Sequence, residues 1–372
     1  MKLAIERAAL LKSLGHVQSV VERRTTIPIL SNVKLEAGDG ILGLSATDLD
    51  LSVVEETEAE VAQPGATTAP AHTLYDVVRK LPEGARVAIE RSAGGELTLR
   101  SGRATFDLPC LPADEFPSMG DEGLEHSFAL PVDELRKLID RTRFAISTEE
   151  TRYYLNGIFL HAREDGPGCL RSVATDGHRL ARFETALPDG AAGMPPVIVP
   201  RKAIGEVRKL IDDLEGDARV EIGLSPSRIR FRIGPAVLRS RLIDGTFPDY
   251  ERVIPTGNDK LLVASTKELS AVIDRVATIS TDRSRAIKLA LADGRLTLSV
   301  VSPEAGRAVE ELDVSYPSEP LEIGFNARYM LDMSAQIEGD EIEVAIADPA
   351  SPMLVRDPKD SSTLYVLMPM RV

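Results

Sequence analysis

The sequence predicts an α+β fold made of three similar domains, each with two helices packed on antiparallel sheets. A short alternating strand followed by an amphipathic helix occurs three times, at roughly even spacing, in the 372 residues. A single copy would carry little weight because such units are common, whereas three evenly spaced copies indicate a repeated domain. The length agrees, since the chain divides into three domains of about 120 residues, a usual domain size.

The three copies begin with strands at Leu3, Phe128 and Leu262. In the third copy Ser265 and Glu268 form a capping box, which is typical of a helix start. In the second copy the helix carries its apolar residues at helical spacing. These residues are Leu135, Leu138, Ile139 and Ile146.

The rest of each repeat follows one order: strands, a second helix and further strands. The elements predicted for the first repeat are strands at 32–36, 41–45 and 51–61, a helix from 73 to about 82, and strands at 86–90 and 96–100. Those predicted for the second repeat are a strand region at 153–161, a helix at 201–214, and strands at 219–222 and 228–233. Those predicted for the third repeat are strands at 287–291 and 295–301, a helix near 326–336, and strands at 341–347 and 364–368. Asp39-Gly40 and Asp293-Gly294 predict hairpin turns.

Short motifs recur at equivalent places in the first two repeats. Residues 45–51 align with residues 173–180, and each repeat closes on a Phe-Pro pair, at 116 and at 247. Segments rich in Gly, Pro, Asp or Asn separate the repeats, which is typical of linkers. The predicted domains are 1–122, 126–254 and 258–372.

Composition excludes several classes of protein. No apolar run approaches the roughly 20 residues that a membrane span needs, and the N-terminus does not have the pattern of a signal peptide. Two cysteines, Cys110 and Cys169, are too few for a disulfide framework or a thiolate zinc site. These features favour a cytoplasmic protein.

The net charge of −14 argues against nucleic acid binding, but its distribution argues for it. Helical wheels place more bases than acids on the outward helix faces, while acids concentrate elsewhere, for example at Glu55, Glu56 and Glu58. The alternative is an ordinary solvated face of mixed charge. The basic residues predicted on these faces are Lys12, Arg23, Lys137, Arg141, Lys202, Lys209, Lys267 and Arg275.

No motif for a cofactor, a phosphate loop or a metal is present, so no cofactor is expected. Asp48 could bind a divalent cation, but a turn acceptor at a strand end is the favoured interpretation. The best enzymatic candidate is Asp176 beside His178, because an aspartate can orient an imidazole. No nucleophile in a recognisable elbow accompanies them.

Four separated motifs resemble the bacterial sliding clamp family, the beta subunits of DNA polymerase III. The resemblance covers the full length and the three-repeat plan. It rests on Thr175-Asp176-Gly177-His178-Arg179-Leu180, Arg152-Tyr153-Tyr154-Leu155-Asn156-Gly157, Phe247-Pro248-Asp249-Tyr250 and Met368-Pro369-Met370-Arg371.

The resemblance implies a head-to-tail homodimer of three-domain chains, each chain forming half of a closed ring. Helices would line the hole and sheets would form the outer wall. Such a ring holds double-stranded DNA without sequence specificity, because a basic lining contacts only phosphates. The family positions that touch DNA correspond to Arg24, Arg152, Tyr153, Tyr154, Arg201 and Lys202.

The resemblance also implies a cleft that binds short peptide motifs. The expected partners are the replicative polymerase catalytic subunit, clamp-loader subunits, other polymerases and repair proteins. Arg179 and Arg252 are expected at the rim, and Gly177 is expected to leave room for a side chain. The cleft residues are Leu155, Thr175, Gly177, His178, Arg179, Leu180, Pro248, Arg252, Val253, Val366, Leu367, Met368, Pro369 and Met370.

The sequence leaves other interpretations of the same residues open. The last residues could form a strand that only completes a sheet, and Ala350 and Pro352 differ from the cleft residues that the family leads us to expect. Phe106 and Ile279 match the dimer interface of the family, with core packing as the alternative. The alternative functions are a hydrolase that uses Asp176 and His178, and a protein scaffold without DNA contact.

Overall fold

The computed structural model describes residues 1–92, 94–121, 123–214, 216–280 and 285–371. Two predicted domain ends, at residues 122 and 372, lie outside these ranges. The first repeat comprises β1 (Lys2–Glu6), α1 (Arg7–Gln18), β2 (Asn32–Gly38), β3 (Ile41–Thr47), β4 (Leu51–Glu58), β5 (Glu60–Gln63), β6 (Gly65–Pro70), α2 (Ala71–Lys80), β7 (Arg86–Arg91), β8 (Glu96–Ser101) and β9 (Ala104–Pro109).

Each of the other repeats also has one helix after its first strand and a second helix later in the repeat. The central repeat comprises β10 (His126–Pro131), α3 (Val132–Asp140), β11 (Gly157–Arg163), β12 (Cys169–Thr175), β13 (Arg179–Ala186), β14 (Val197–Pro200), α4 (Arg201–Asp212), β15 (Arg219–Leu224), β16 (Arg228–Ile233) and β17 (Ala236–Arg241). The third repeat comprises β18 (Lys260–Ser265), α5 (Thr266–Ala277), β19 (Ala286–Ala292), β20 (Arg295–Ser302), β21 (Gly306–Asp313), β22 (Leu321–Asn326), α6 (Ala327–Ser334), β23 (Glu341–Ile346), β24 (Met353–Asp357) and β25 (Asp360–Leu367).

The repeated strand-then-helix unit is confirmed, because β1, β10 and β18 lead directly into α1, α3 and α5. At the start of α5 the Ser265 hydroxyl accepts a hydrogen bond from the Glu268 backbone N–H at 3.3 Å, as the capping box predicts. Both predicted hairpin turns also form. Asp39 and Gly40 have φ of 48° and 78°, and Asp293 and Gly294 have φ of 49° and 74°, the left-handed values that two-residue hairpin turns require.

Two parts of the strand prediction were wrong. The strand region predicted at 153–161 begins only at Gly157, because Glu150–Leu155 form a short 3-10 helix. The run 51–61 is two strands, because β4 ends at Glu58 and β5 begins at Glu60, and the two enter different sheets. The Ala59 N–H donates instead to Gly40 O at 2.9 Å. No strand was predicted before α2, where β6 forms in a segment rich in Pro, Gly and Thr. This strand lies at the edge of its sheet, where proline is tolerated.

The chain folds as two compact units, and each contains two antiparallel sheets. The first unit is Met1–Arg136, Pro188–Pro195 and Lys202–Leu242, and the second is Lys137–Leu187, Pro196–Arg201 and Ile243–Val372. The sheets of the first unit have the strand orders β5-β1-β7-β8-β9 and β10-β15-β16-β17-β4-β3-β2-β6. Those of the second have the orders β14-β11-β12-β13-β25-β24-β23-β18 and β21-β20-β19-β22.

Each eight-stranded sheet joins strands of two neighbouring repeats, which the sequence did not reveal. In the first unit β17 pairs with β4, and in the second unit β13 pairs with β25. Both faces of β25 are covered, since Tyr365 and Leu367 are fully buried and Val366 is 2% exposed. This is why the end of the chain reads as a continuous apolar run. No helix in the described ranges is long and apolar enough to cross a membrane.

Candidate functional site

The pairing of β13 with β25 brings the end of the chain beside the turn at 175–179. Arg179 pairs with Leu367, and the Met368 N–H donates to His178 O at 2.9 Å. Next to this junction lies a cavity of about 290 Å³, here called the cleft. Its lining residues are Arg152, Tyr154, Leu155, Thr175, Gly177, Arg179, Leu180, Pro248, Asp249, Tyr250, Val253, Val366 and Met368.

The floor of the cleft is apolar and rigidly packed. Leu155, Leu180 and Val366 are at most 3% exposed and belong to one buried cluster with Phe247 and Tyr250. Val253 and Met368, by contrast, are 50% and 41% exposed. An apolar ligand would gain about 25 cal/mol for each Å² of such surface that it buries. The arrangement suits an apolar side chain that is anchored in a preformed pocket.

The turn at 175–179 is held by the Asp176 carboxylate. Asp176 Oδ1 accepts hydrogen bonds from the backbone N–H groups of His178 (2.9 Å) and Arg179 (3.0 Å). The aligned turn of the first repeat is built in the same way, because Asp48 Oδ1 accepts from Asp50 N and Leu51 N. The turn-acceptor interpretation of Asp48 is confirmed, and Asp176 likewise serves its turn rather than orienting an imidazole.

Arg179 does not lie free at the rim, where it was predicted. Its side chain is 9% exposed, with Nη1 2.5 Å from Asp332 Oδ2 and Nη2 donating to Phe144 O at 2.6 Å. The guanidinium also stacks 4.1 Å from the centroid of the Tyr329 ring. These contacts satisfy its charge inside the protein, so Arg179 lines the cleft but is not free to pair with an acidic group of a ligand. Arg252 is 84% exposed and ion-paired with Asp249 at 2.7 Å, which agrees with a rim position.

The space at Gly177 is taken by Arg152. A Cβ atom at Gly177 would lie 2.4 Å from Arg152 Nη1, and its φ of +86° also favours glycine. Arg152 Nε donates to Glu149 Oε2 at 2.8 Å, and this hydrogen bond raises the pKa of Arg152. Arg152 and Tyr154, which were predicted to contact DNA, therefore line the cleft.

Five predicted cleft residues lie outside its lining: His178, Arg252, Leu367, Pro369 and Met370. Leu367 is fully buried. Pro369 and Met370 line a neighbouring groove of about 620 Å³ together with Ala350, and the Met370 N–H donates to Gly324 O at 2.8 Å. Pro352 O accepts a hydrogen bond from the Asn258 side chain at 3.0 Å.

Tyr250 and Asp249 were missed as lining residues. The signal for both was the Phe-Pro-Asp-Tyr motif at 247–250, from which only Pro248 was chosen.

Among the residues predicted to contact DNA, Arg24 and Arg201 are exposed and have no ion-pair partner in the described part of the chain. Tyr153 is 54% exposed, and its ring lies edge-on to that of Tyr154 at a centroid distance of 5.8 Å. All three side chains are available for contact with a ligand.

Lys202 is engaged within the protein. Its Nζ donates to Val20 O at 3.0 Å and to Asp48 Oδ2 at 2.7 Å, and it also pairs with Glu22. Burial alone would lower the pKa of Lys202, but the hydrogen bonds to Asp48 and Glu22 outweigh it and raise the pKa. Lys202 therefore ties the turn at Asp48 to the residues that follow α1, Val20 and Glu22.

Other helix cations predicted to face outward are also paired with carboxylates. Lys12 lies 2.9 Å from Asp213, and Lys209 lies 2.7 Å from Glu206. Arg141 was predicted on an outward face but is buried and lies 2.5 Å from Glu338. The helix α3 ends at Asp140, so the helical wheel does not extend to this residue.

The residues predicted at the dimer interface lie near open sheet edges. Phe106 is 36% exposed on β9, the last strand of its sheet. Ile279 is half-buried just after α5. That helix is tied to the edge strand β21, because Arg275 pairs with Glu310 at 2.5 Å.

Comparison with known proteins matches the whole chain. The models of the DNA polymerase III beta subunit match as its N-terminal domain at residues 1–120, its central domain at 129–249 and its C-terminal domain at 251–371. The chain is 56% identical to the beta sliding clamp of Caulobacter vibrioides and 38% identical to that of Escherichia coli K12, with full coverage of both chains in each case.

Solved structures agree. A Caulobacter crescentus clamp with polyethylene glycol bound at its proposed beta-motif tethering region has 56% identity and a TM-score of 0.97, with 100% of this chain and 99% of that chain covered. A Bartonella birtlesii clamp bound to griselimycin has 49% identity and a TM-score of 0.97, with full coverage of both chains.

The fold and the site define a protein of three similar domains with an apolar cleft that suits a ligand. The chain belongs to the family of DNA polymerase III beta subunits, the bacterial beta sliding clamps. Members of this family are processivity factors of DNA replication, and the chain is therefore not itself an enzyme.

Replacing Lys202 and Arg201 separately distinguishes a structural cation from an available one. Lys202→Met should lower the free energy of unfolding by about 1 kcal/mol, because Asp48 loses its charged partner in a partly exposed site. Arg201→Met should leave stability unchanged. Urea unfolding followed by circular dichroism measures both, and equal stability of the two variants would contradict the assignment.

Proposed function

We propose that two copies of this chain close into a ring around duplex DNA and tether DNA polymerase through the cleft. The observation that carries the proposal is the preformed apolar cleft at the β13–β25 junction, in a chain of the sliding clamp family. An apolar pocket beside exposed Val253 and Met368 is costly to leave in water unless a partner covers it.

The DNA contact is diffuse and independent of sequence. The groups available for this contact are Arg24, Arg201 and Tyr153. Two further residues, Arg152 and Tyr154, would serve both DNA and the cleft. Lys202 would contribute indirectly, by holding the residues that it is bonded to. A ring that must slide needs weak contact with DNA. A small number of free cations suits it, because each phosphate contact strengthens binding and makes it more dependent on salt. The domains are 1–122, 126–254 and 258–372, as the sequence predicts.

The ring closes head to tail, the first domain of one copy meeting the third domain of the other. Open edges on β9 and β21 support this, since unpaired strand edges are ready to pair with another chain. Phe106 would supply the apolar part of the contact from β9, and Ile279 its counterpart beside α5. A contact between two different surfaces gives a closed ring of two copies only if the rotation that relates the copies is a half turn; otherwise it gives a larger ring or a filament.

The cleft takes an extended peptide with an apolar anchor, supplied by the polymerase catalytic subunit, clamp-loader subunits, other polymerases and repair proteins. Binding of griselimycin by a relative with 49% identity supports a ligand site in this family. One cleft per chain makes the partners compete. Affinity near micromolar, about −8 kcal/mol, would let them exchange. No cofactor is needed, and we place the protein in the cytoplasm, where a bacterial chromosome is replicated.

The dimer contact is tested by Phe106→Asp together with Ile279→Asp. Two buried charges facing each other across the contact should abolish association, leaving a folded monomer, and sedimentation equilibrium measures the mass. Leu261→Asp is the matched control, because Leu261 is 39% exposed on β18, a strand that belongs to neither of the sheets that contain β9 and β21. A double variant that keeps the mass of two chains would refute the placement.

The cleft is tested by Val253→Asp and Met368→Asp, which place a charge at its two exposed apolar residues. Each should weaken griselimycin binding at least about tenfold in a calorimetric titration, because a carboxylate in an apolar contact loses solvation. Met370→Asp should have a smaller effect, since Met370 lines the neighbouring groove, and Leu261→Asp should have none. Unchanged affinity in both cleft variants would show that the ligand binds elsewhere.

A further inference from the structure

One wall of the cleft is formed by a segment that lies across the sheet, residues 243–254, here called the wall segment. It contributes Pro248, Asp249, Tyr250 and Val253 to the lining. Its backbone is joined to the sheet at its start, where the Ile243 N–H donates to Ile198 O at 3.0 Å. Beyond this point side chains hold the segment down.

The first anchor of the wall segment is aromatic. The rings of Phe247 and Phe159 stack at a centroid distance of 4.7 Å and an interplanar angle of 2°. This contact holds the wall segment over β11. It still allows one ring to slide across the other, because stacking is less directional than a hydrogen bond. A directional anchor is therefore needed to set the position of the wall.

The directional anchor is the Tyr250 hydroxyl, which is held by two strands. Arg171 Nη1 donates to Tyr250 Oη at 2.9 Å, and His161 Nε2 lies 3.0 Å from the same oxygen. Arginine has no acceptor, so the phenol accepts from Arg171. His161 Nδ1 is 3.2 Å from Ala162 O. The Ala162 carbonyl can only accept, so in the neutral ring the His161 proton lies on Nδ1, and Nε2 accepts the phenol proton of Tyr250.

The strand register explains why these groups meet. His161 on β11 pairs with Arg171 on β12, and Arg171 pairs with Glu184 on β13. Arg171 is 3% exposed and lies 2.7 Å from Glu184 and 2.6 Å from Glu251 of the wall segment. A buried arginine with two carboxylates and a phenol around it has little freedom to move.

We propose that Arg171 and His161 are positioning residues for the cleft, which fix Tyr250 and thereby set the distance of the wall segment from the sheet. Neither residue lines the cleft. They determine the width of the apolar slot between Tyr250 and the floor residues Leu180 and Val366. The inference rests on the proposed function of the cleft and names the groups that keep it preformed.

Protonation of His161 provides a specific signature of this arrangement. The charged imidazole has two donors, so it cannot accept from Tyr250, and it would add a second cation beside Arg171. Glu184 and Glu251 are the carboxylates that face this site, and burial lowers the pKa of His161 below its ordinary value. Cleft affinity should therefore be constant at neutral pH and fall as pH decreases through that lowered pKa.

The test is a titration of griselimycin against the full-length protein between pH 4.5 and pH 8. Tyr250→Phe, which keeps the ring but removes the hydroxyl, should bind about tenfold more weakly at pH 7.5, as expected for the loss of a hydrogen bond to a charged group. His161→Gln keeps an acceptor. It should bind like the wild type at pH 7.5 and lose the decrease at acid pH, whereas His161→Leu should be weak throughout.

Arg163→Met is the matched control, because Arg163 lies on the same strand and 3.6 Å from Glu251 but does not touch Tyr250. It should bind like the wild type. Wild-type affinity in Tyr250→Phe, or an unchanged acid profile in His161→Gln, would overturn this inference alone. Failure of the wild type to bind griselimycin would overturn the proposed cleft and the inference with it.

Discussion

The pairing of β13 with β25 is the interaction on which the cleft depends. It joins the central and third repeats into one sheet and stops beside the turn at 175–179, where Met368 is bonded to His178 O. This pairing thereby fixes the turn at 175–179, the floor of the cleft and the residues after β25 relative to one another. A ligand that binds there gains apolar contact without the cost of ordering the site.

Several cationic side chains of this protein form ion pairs and hydrogen bonds within the chain itself. The sequence predicts ligand contacts for both Arg179 and Lys202. In the structure each forms an ion pair with a carboxylate and a hydrogen bond to a backbone carbonyl of the same chain. A net charge of −14 supplies many such partners. Exposed cations without an ion-pair partner in the described ranges, such as Arg24 and Arg201, are the groups that we propose for weak, mobile contact with DNA.

Much of the fold could be predicted from the sequence because the signals are local. Three strand-then-helix units, the Ser265 cap and the Asp39-Gly40 turn depend on residues a few positions apart. The sheets that continue across repeats could not be predicted, because β17–β4 and β13–β25 pairings join residues far apart in the chain. For the same reason the partners of Arg179 and the role of Gly177 were missed: Asp332 and Arg152 approach them only in the folded chain.

We propose that the protein holds DNA by enclosing it, and release from DNA ends tests this most directly. The labelled protein is loaded onto a nicked circular plasmid by its clamp loader, separated from free protein by gel filtration, and the circle is then cut once by a restriction enzyme. Enclosure predicts that the protein stays with the intact circle through high salt and is lost after the cut, because a sliding ring leaves over an open end. Equal retention on circular and linear DNA, or loss from both at the same salt concentration, would contradict it.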